Sequence, residues 1–310
     1  MSERQEQRPV TNGQASNRRK ALPSKGYTMS SILTNNSAIV ALQTLQSVNS
    51  NLAKTNDAIS TGKEVATARD NSAVFAISKV MESDIAGFKS ISDSLSLGQS
   101  TVAVASSAAG QIVDTLNDIK GLIVSAQSEN VDHAKIQNDI AQRTAQVGSI
   151  VAGAQFNGAN LLATDVDGSG ATSLGVLASL DRVGAATVTP SFINVASVDF
   201  QANLDLATNL TAITDTTTAA TALGEIEGFI QTAVNGAASL GAAANRIDSQ
   251  SEFVSNLTDS LTSGVGALVD ADLEEASARL QALQVQQQLA TQSLSIANQA
   301  PQAILSLFRS

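Results

Sequence analysis

The sequence predicts a mainly α-helical protein: an elongated rod of antiparallel coiled-coil or bundled helices, with paired terminal helices and a small β-rich insert. Apolar residues recur every seven positions on both sides of a central segment that lacks this period, which is typical of long packed helices. Only 3% of the residues are aromatic and Trp is absent, so small aliphatic side chains must form close helix–helix contacts. Both ends of the periodic region carry very few charges.

The longest seven-residue register lies in residues 71–163, which we interpret as the N-terminal rod helices. Its leading row comprises Met81, Phe88, Leu95, Val102, Ala109, Leu116 and Ile123. Six heptads of helix extend about 65 Å, so the body should be a rod. A second row, three residues after the first, has breaks at Asp84 and Gly98. Asp84 either faces solvent or is a buried polar residue that fixes the register. Polar residues 125–133 predict a hairpin loop before a return helix.

The same register returns in residues 218–267, the predicted C-terminal rod helix. Its row includes Leu240, Ile247, Val254 and Leu261. We expect this helix to pack against the N-terminal rod helix, because each needs a partner for its apolar stripe.

Residues 29–70 and 268–310 are predicted to form the terminal polymerisation helices, the first followed by a polar link. The candidate coiled-coil and polymerisation residues are Leu45, Val48, Leu52 and Ile59 in the first, and Leu273, Leu280, Leu283, Leu289, Leu294, Ile296, Leu305 and Leu307 in the second. The second helix has two neighbouring apolar stripes and no charged residue from 280 to 307. It can therefore dock in the core of one domain or pack between several copies of the chain.

Residues 164–217 are rich in Thr, Asp, Gly and Val, with near-alternation of apolar residues between Val188 and Phe200. This pattern predicts a short, variable surface insert of strands or hairpins. The order of elements is mirrored about the insert. We therefore expect both chain ends at one pole of the rod and the insert at the other.

Residues 1–28 form a polar extension with six basic residues, two acidic residues and no apolar run. We expect this extension to be disordered, and Met29 offers an alternative start, so the extension is either a mis-assigned start or a basic arm. The net charge of the whole chain is −10, which argues against nucleic acid as a partner. No stretch of 18 apolar residues occurs, so no membrane insertion is expected.

No catalytic, cofactor or metal site is predicted, and the chain is not expected to be an enzyme. Cys is absent, which excludes disulfides and thiolate sites. The one histidine, His133, falls in the predicted hairpin loop, where a solvated side chain is favoured. Acidic pairs such as Glu225 and Glu227 have helical spacings that do not face each other, so we interpret them as solvated.

Four groups of motifs, in order along the chain, resemble the bacterial flagellin family. They are SILTN at 31–35 with ISTGK at 59–63 and ARDN at 68–71; QFNG at 155–158 with LL at 161–162; LG at 240–241 with NRI at 245–247; and IANQAPQ at 296–302 with LSLFR at 305–309. Each motif alone is weak, but four groups in this order make a specific signal. Together they span nearly all of residues 29–309 except the insert.

The resemblance implies a structural subunit that self-assembles into the bacterial flagellar filament for swimming motility. Paired terminal helices would line the lumen of a tube, rod helices would form its wall, and the insert would face outward. The chain would be secreted to the extracellular flagellum. Its implied partners are other copies of itself, a flagellar export chaperone at the C-terminal helix (residues 273–308), the flagellar type III export apparatus, and filament cap and hook-associated proteins.

Two other functions stay open. A hook-filament junction protein of the same superfamily would share both terminal helices but would stop at a ring of few copies. A soluble coiled-coil binding module would form a defined dimer. Dimeric coiled coils usually carry charges beside the apolar seam, and these terminal helices lack them.

Overall fold

The computed structural model describes residues 35–183 and 187–307, with side chains from 35 to 182 and from 188 to 299. In chain order its elements are α1 (Asn36–Thr61), α2 (Ser72–Ser125), α3 (His133–Gly153), β1 (Ser173–Val183), β2 (Thr187–Ala196), α4 (Phe200–Asn203), α5 (Leu206–Asn209), α6 (Thr216–Val269) and α7 (Leu273–Leu307). The chain forms two compact units. The terminal unit is the described part of Met1–Asp57 and Glu274–Ser310, and the rod unit is Ala58–Leu273. The predicted extension, residues 1–28, lies outside the described residues.

The rod unit is organised around α2 and α6, which lie antiparallel. Gln99 is hydrogen-bonded to Asp248, and Lys120 Nζ lies 2.5 Å from Glu227 Oε1. Residue numbers that rise along α2 therefore face residue numbers that fall along α6. Of the residues predicted for rod packing, Leu95, Val102, Leu116, Ile123, Leu240, Ile247 and Val254 are buried, and Met81, Phe88 and Leu261 are half-buried. The return helix α3 packs on the second half of α2 and buries Ile140, Val147 and Val151.

Backbone hydrogen bonds link the segment that follows α1 to the segment at the end of α6. Ala271 N donates to Gly62 O at 3.0 Å, and Glu64 N donates to Val269 O at 2.8 Å. Gly62 has a φ of 69°, the left-handed conformation in which helices commonly stop. The helix predicted to be continuous from residue 268 is interrupted here, because Asp270 adopts an extended conformation between α6 and α7.

Strands β1 and β2 form a two-stranded antiparallel hairpin that lies on the α2 surface. The ladder is irregular at Ala178, whose carbonyl accepts a hydrogen bond from Gln250 Nε2 of α6 at 2.8 Å. Val176 and Ala178 are buried, whereas Val188 and Phe192 are exposed. The hairpin therefore has one face on the rod and one face in solvent.

The predicted position of the insert, at the far pole of the rod, is wrong for the β hairpin but holds for the last part of the insert, where Thr211 contacts Glu225 near the start of α6. The hairpin lies alongside the first half of α2, where Leu177 N donates to Ser94 Oγ at 3.3 Å and Arg182 forms an ion pair with Asp84. A two-stranded hairpin cannot cover its own apolar face, so it folds back onto the helices and becomes part of the core of the rod unit.

Both breaks in the second α2 row are contacts with β1. Asp84 pairs with Arg182, and both side chains are about one-third exposed, at 28% and 32%. At Gly98, a Cβ would lie 2.5 Å from Val176 Cγ2, so only glycine leaves room for that valine. Asp84 is partly exposed to solvent and is not buried in the helix seam, and neither predicted role included its partner in the insert.

The segment after the hairpin is helical where alternation predicted strand. Asp199 accepts a hydrogen bond from Ala202 N at 3.1 Å and begins the single-turn helix α4. Phe200, the first residue of α4, is only 1% exposed. Its ring occupies a notch on α6, where a Cβ on Gly236 would lie 2.5 Å from the ring. Gly236 on α6, like Gly98 on α2, therefore leaves space for a side chain of the insert.

Two polar residues that we interpreted as solvated make contacts within the rod unit. His133 begins α3, is half-buried, and has Nε2 2.9 Å from Ala126 O at the end of α2. Glu225 of α6 accepts hydrogen bonds from Thr211 N at 2.6 Å and from Thr211 Oγ1 at 2.8 Å. His133 therefore links the start of α3 to the end of α2, and Glu225 links α6 to the segment before it. The sequence spacing does not indicate either contact.

The N-terminus of α6 is closed by a reciprocal pair of hydrogen bonds. The Asp215 carboxylate accepts from Thr218 N at 2.8 Å, and Thr218 Oγ1 accepts from Asp215 N at 3.0 Å. The bond from the Thr218 backbone N–H, assisted by the Thr218 hydroxyl, lowers the pKa of Asp215 from its ordinary value of 3.8. The ionised form of Asp215 therefore stabilises the folded chain.

Gly98→Ala is expected to lower the free energy of unfolding by about 1–3 kcal/mol, because the added methyl group displaces Val176. Gly110→Ala is the matched control on the same helix, since its Cβ position is open. This control is expected to raise the free energy of unfolding by about 0.5–1 kcal/mol, because alanine favours helix over glycine. Urea unfolding followed by circular dichroism measures both. Equal effects of the two substitutions would contradict the contact between Gly98 and β1.

Asp215→Asn is expected to lower the melting temperature at about pH 7 and to have no such effect at about pH 2. The pKa of Asp215 is lower in the folded chain, so its contribution is complete above pH 3.8 and is lost as the pH falls through the folded-state pKa. Asp259→Asn removes the same charge elsewhere on α6 and serves as the control. A difference between wild type and Asp215→Asn that is the same at both pH values would show that the carboxylate is not the capping group.

Candidate polymerisation surface

The described part of the terminal unit consists of two antiparallel helices, most of α1 and most of α7. Asn35 Nδ2 donates to Ala297 O at 2.6 Å, and Gln287 Nε2 donates to Asn49 Oδ1 at 2.7 Å. Residue numbers that rise along α1 therefore meet numbers that fall along α7. This pairing brings together two helices that lie at opposite ends of the sequence.

Each helix of the terminal unit has buried residues at seven-residue spacing. The buried side chains described in this unit are Val48 and Thr55 on α1, and Leu283 and Ala290 on α7. Thr55 is polar, but its hydroxyl donates to Asn51 O at 2.9 Å within the same helix. The matching intervals on the two helices are those of a coiled-coil seam.

Large apolar side chains are also exposed on each helix of the terminal unit, among the side chains described. The exposed large apolar residues are Ile39, Val40 and Leu42 on α1, and Val285, Leu289 and Ile296 on α7, with exposed fractions from 45% to 68%. Fully burying one such side chain is worth about 1.5–3 kcal/mol. Several large exposed apolar side chains on one unit are typical of a surface that another molecule covers.

The background of this face is polar but almost uncharged. Glu274 and Glu275 lie in the first turn of α7, where negative charge favours the helix dipole. After Arg279, α7 carries no charged residue up to Leu307. Charged residues are depleted at the centres of protein interfaces, so the composition of α7 agrees with cover by protein.

An open groove of about 360 Å³ lies between the two helices. It is lined by Asn36, Ser37, Val40, Ala41, Thr44, Ala290 and Ser293. This lining contains no titratable side chain, so the groove has no group for acid–base chemistry.

The predicted polymerisation residues lie on both faces of the terminal helices. Val48 and Leu283 are in the seam; Leu45, Leu52, Ile59, Leu280 and Leu294 are half-buried; and Leu289 and Ile296 are on the exposed face. Leu273 is 50% exposed, and both Leu273 and Ile59 belong to the rod unit. The side chains of Leu305 and Leu307 lie outside those described. A role for these residues in polymerisation stays a prediction.

Sequence reasoning missed the exposed residues of α1. It followed the two seven-residue rows of one coiled-coil seam along this helix and did not include Ile39, Val40 and Leu42, although adjacent apolar residues at 39 and 40 indicate a second apolar face. It also missed the contact of Asn35 with α7, which joins residues far apart in the sequence.

No three His, Asp or Glu side chains of residues 35–182 and 188–299 come together as a metal site would require. No described helix is both long enough and apolar enough to cross a membrane. An uncharged apolar helical surface on a mainly helical chain is typical of the class of structural proteins that act through contacts between subunits.

Comparison with known proteins indicates which family within this class the chain is similar to. The model of the bacterial flagellin N-terminal helical region matches residues 32–166, and that of the bacterial flagellin C-terminal helical region matches residues 207–308. A flagellin of Brucella melitensis is 43% identical over 287 residues, covering 91% of this chain and 100% of that protein. Flagellin FljK of Caulobacter vibrioides is 39% identical over 284 residues, covering 91% of this chain and 99% of that protein. The crystal structure of Bacillus cereus flagellin aligns with a TM-score of 0.44 at 18% identity, covering 51% of this chain and 86% of that one.

The chain belongs to the bacterial flagellin family. It is a structural subunit of the flagellar filament. The resemblance seen in the sequence, the mainly α fold with a small β insert and the predicted structural function are confirmed.

Proposed function

We propose that the exposed faces of α1 and α7 are the surface through which copies of this chain polymerise. One feature of α7 supports this role most directly: three large exposed apolar side chains, Val285, Leu289 and Ile296, lie on a helix with no charge beyond residue 279. Water does not stabilise such a face, and a neighbouring copy offers faces of the same chemistry.

The distribution of these residues over two helices suits open-ended growth. A filament grows when one patch of a subunit binds a different patch of the next, because a self-complementary patch stops at a dimer. The outer residues of α1, Ile39, Val40 and Leu42, and those of α7 supply two different patches in each terminal unit. Each subunit can therefore bind a neighbour on either side.

For the secretion route and the other partners, we propose what membership of the flagellin family implies. The chain is secreted through the flagellar type III export apparatus to the extracellular flagellum, and its other partners are filament cap and hook-associated proteins. An export chaperone covers residues 273–308 before assembly. The exposed apolar face of α7 supports a chaperone there, since that face needs cover wherever free copies accumulate.

Changing Val285, Leu289 and Ile296 together to Ser is expected to abolish filament growth at concentrations where the wild type polymerises. These side chains are mostly exposed in the subunit, so their loss should leave its helical content unchanged. Electron microscopy and sedimentation measure growth, and circular dichroism checks the fold of the variant.

The matched control changes Gln284, Gln288 and Gln292 to Ser on the same helix. These amides are also exposed, so the control alters the same number of surface positions without removing a large apolar side chain. Filaments from the control but not from the apolar variant support the proposal, and equal growth of both contradicts it. A wild type that stops at a ring of few copies would support a hook-filament junction protein, and one that stops at a dimer would support a binding module.

A further inference from the structure

α7 continues through a proline. Pro301 lies within the helix, which ends at Leu307. Proline has no backbone N–H, so the carbonyl four residues earlier, that of Ala297, has no donor within its own helix. Pro301 is the only proline in the sequence of α7, so within the body of this helix Ala297 O is the one carbonyl freed in this way.

The side chain of Asn35 supplies the missing donor. Its Nδ2 lies 2.6 Å from Ala297 O. Its Oδ1 accepts from Ala38 N at 3.1 Å and so pairs one of the free N–H groups at the start of α1. The Oδ1 atom of Asn35 therefore caps the start of α1, and its Nδ2 atom completes the hydrogen bonding of α7. An aspartate could perform the first of these tasks but not the second, because a carboxylate has no N–H.

We propose that Asn35 is a positioning residue that sets the register of α1 against α7, and that Pro301 creates the acceptor with which it pairs. A slip of one helical turn would move Ala297 O by about 5.4 Å, beyond the reach of the Asn35 amide. The seam of Val48, Thr55, Leu283 and Ala290 would tolerate other registers better, since aliphatic contacts are not directional.

The register matters for assembly because it decides which α7 side chains lie in the seam. With Asn35 on Ala297, Leu283 and Ala290 are covered, and Leu289 and Ile296 stay outside. This consequence for assembly rests on the proposed polymerisation function. The register itself does not, and it can be measured on the single subunit.

Cross-linking reports the register directly, because the natural chain has no Cys. Asn49→Cys is combined either with Gln287→Cys, the observed partner of residue 49, or with Gln284→Cys, about one turn away. A short bismaleimide is added to dilute protein, and the ratio of linking at 287 to linking at 284 is measured by mass spectrometry. The wild-type background is expected to favour 287. Equal linking at both positions would overturn the proposal.

Asn35→Asp is expected to lower this ratio about tenfold, the effect of losing one hydrogen bond to a carbonyl that then lacks any donor. Asn36→Asp is the matched control, with the same change of charge one residue further along α1 and an exposed side chain. It is expected to leave the ratio unchanged. An unchanged ratio in Asn35→Asp, or an equal fall in both variants, would contradict a role for Asn35 in the register.

Pro301→Ala separates positioning from a general loss of stability. Alanine at 301 restores an N–H that can donate to Ala297 O within α7. In this background Asn35→Asp is expected to change the ratio by less than about twofold, since the two positions act on one carbonyl. An undiminished effect of Asn35→Asp beside Pro301→Ala would overturn the proposal. If the ratios behave as expected but no filament forms, the polymerisation function fails and the register assignment stands.

Discussion

Each long helix of this chain has an apolar stripe to cover, and the terminal helices have more apolar surface than their mutual pairing covers. α2 is covered from several sides, by α6, by α3 and by the β hairpin. Among the described residues of the terminal unit, α7 has only α1 as a partner, and the seam accounts for Leu283 and Ala290 while Leu289 and Ile296 remain outside. The described rod unit therefore covers the apolar stripe of α2, whereas the proposed polymerisation surface on α7 stays exposed in the described part of the subunit.

The insert belongs to the rod more closely than its composition suggests. Its inner face is held where the rod helices depart from their own pattern: Gly98 leaves space for Val176, Gly236 leaves space for Phe200, and Asp84 offers a charge to Arg182. An insert docked in this way leaves Val188 and Phe192 on the outer surface of the hairpin. Variation on the outer face can therefore proceed without disturbing the seam of α2 and α6.

Periodicity alone was sufficient to predict the long helices, the seam of the rod and the two apolar stripes of α7. These features depend on residues three, four or seven positions apart, and such spacings are visible in the sequence. Contacts between distant segments leave no such trace. Arg182 lies 98 residues from its partner Asp84, and Asn35 lies 262 residues from Ala297. In the sequence each of these contacts corresponds only to an irregularity in the helical pattern. Asp84 is a charge in an apolar row, and Pro301 is a proline in a helix. Neither irregularity indicates which distant residue makes the contact.

The central claim is that the outer face of the terminal helices is open in one molecule and closed by its copies. Hydroxyl-radical labelling of side chains, compared between dilute subunits and sedimented polymer, tests this claim most directly. Leu289 and Ile296, which are 58% and 68% exposed, are expected to be labelled in the subunit and protected in the polymer, while Leu283 in the seam stays protected in both. Equal labelling of Leu289 and Ile296 in the two states would contradict the claim.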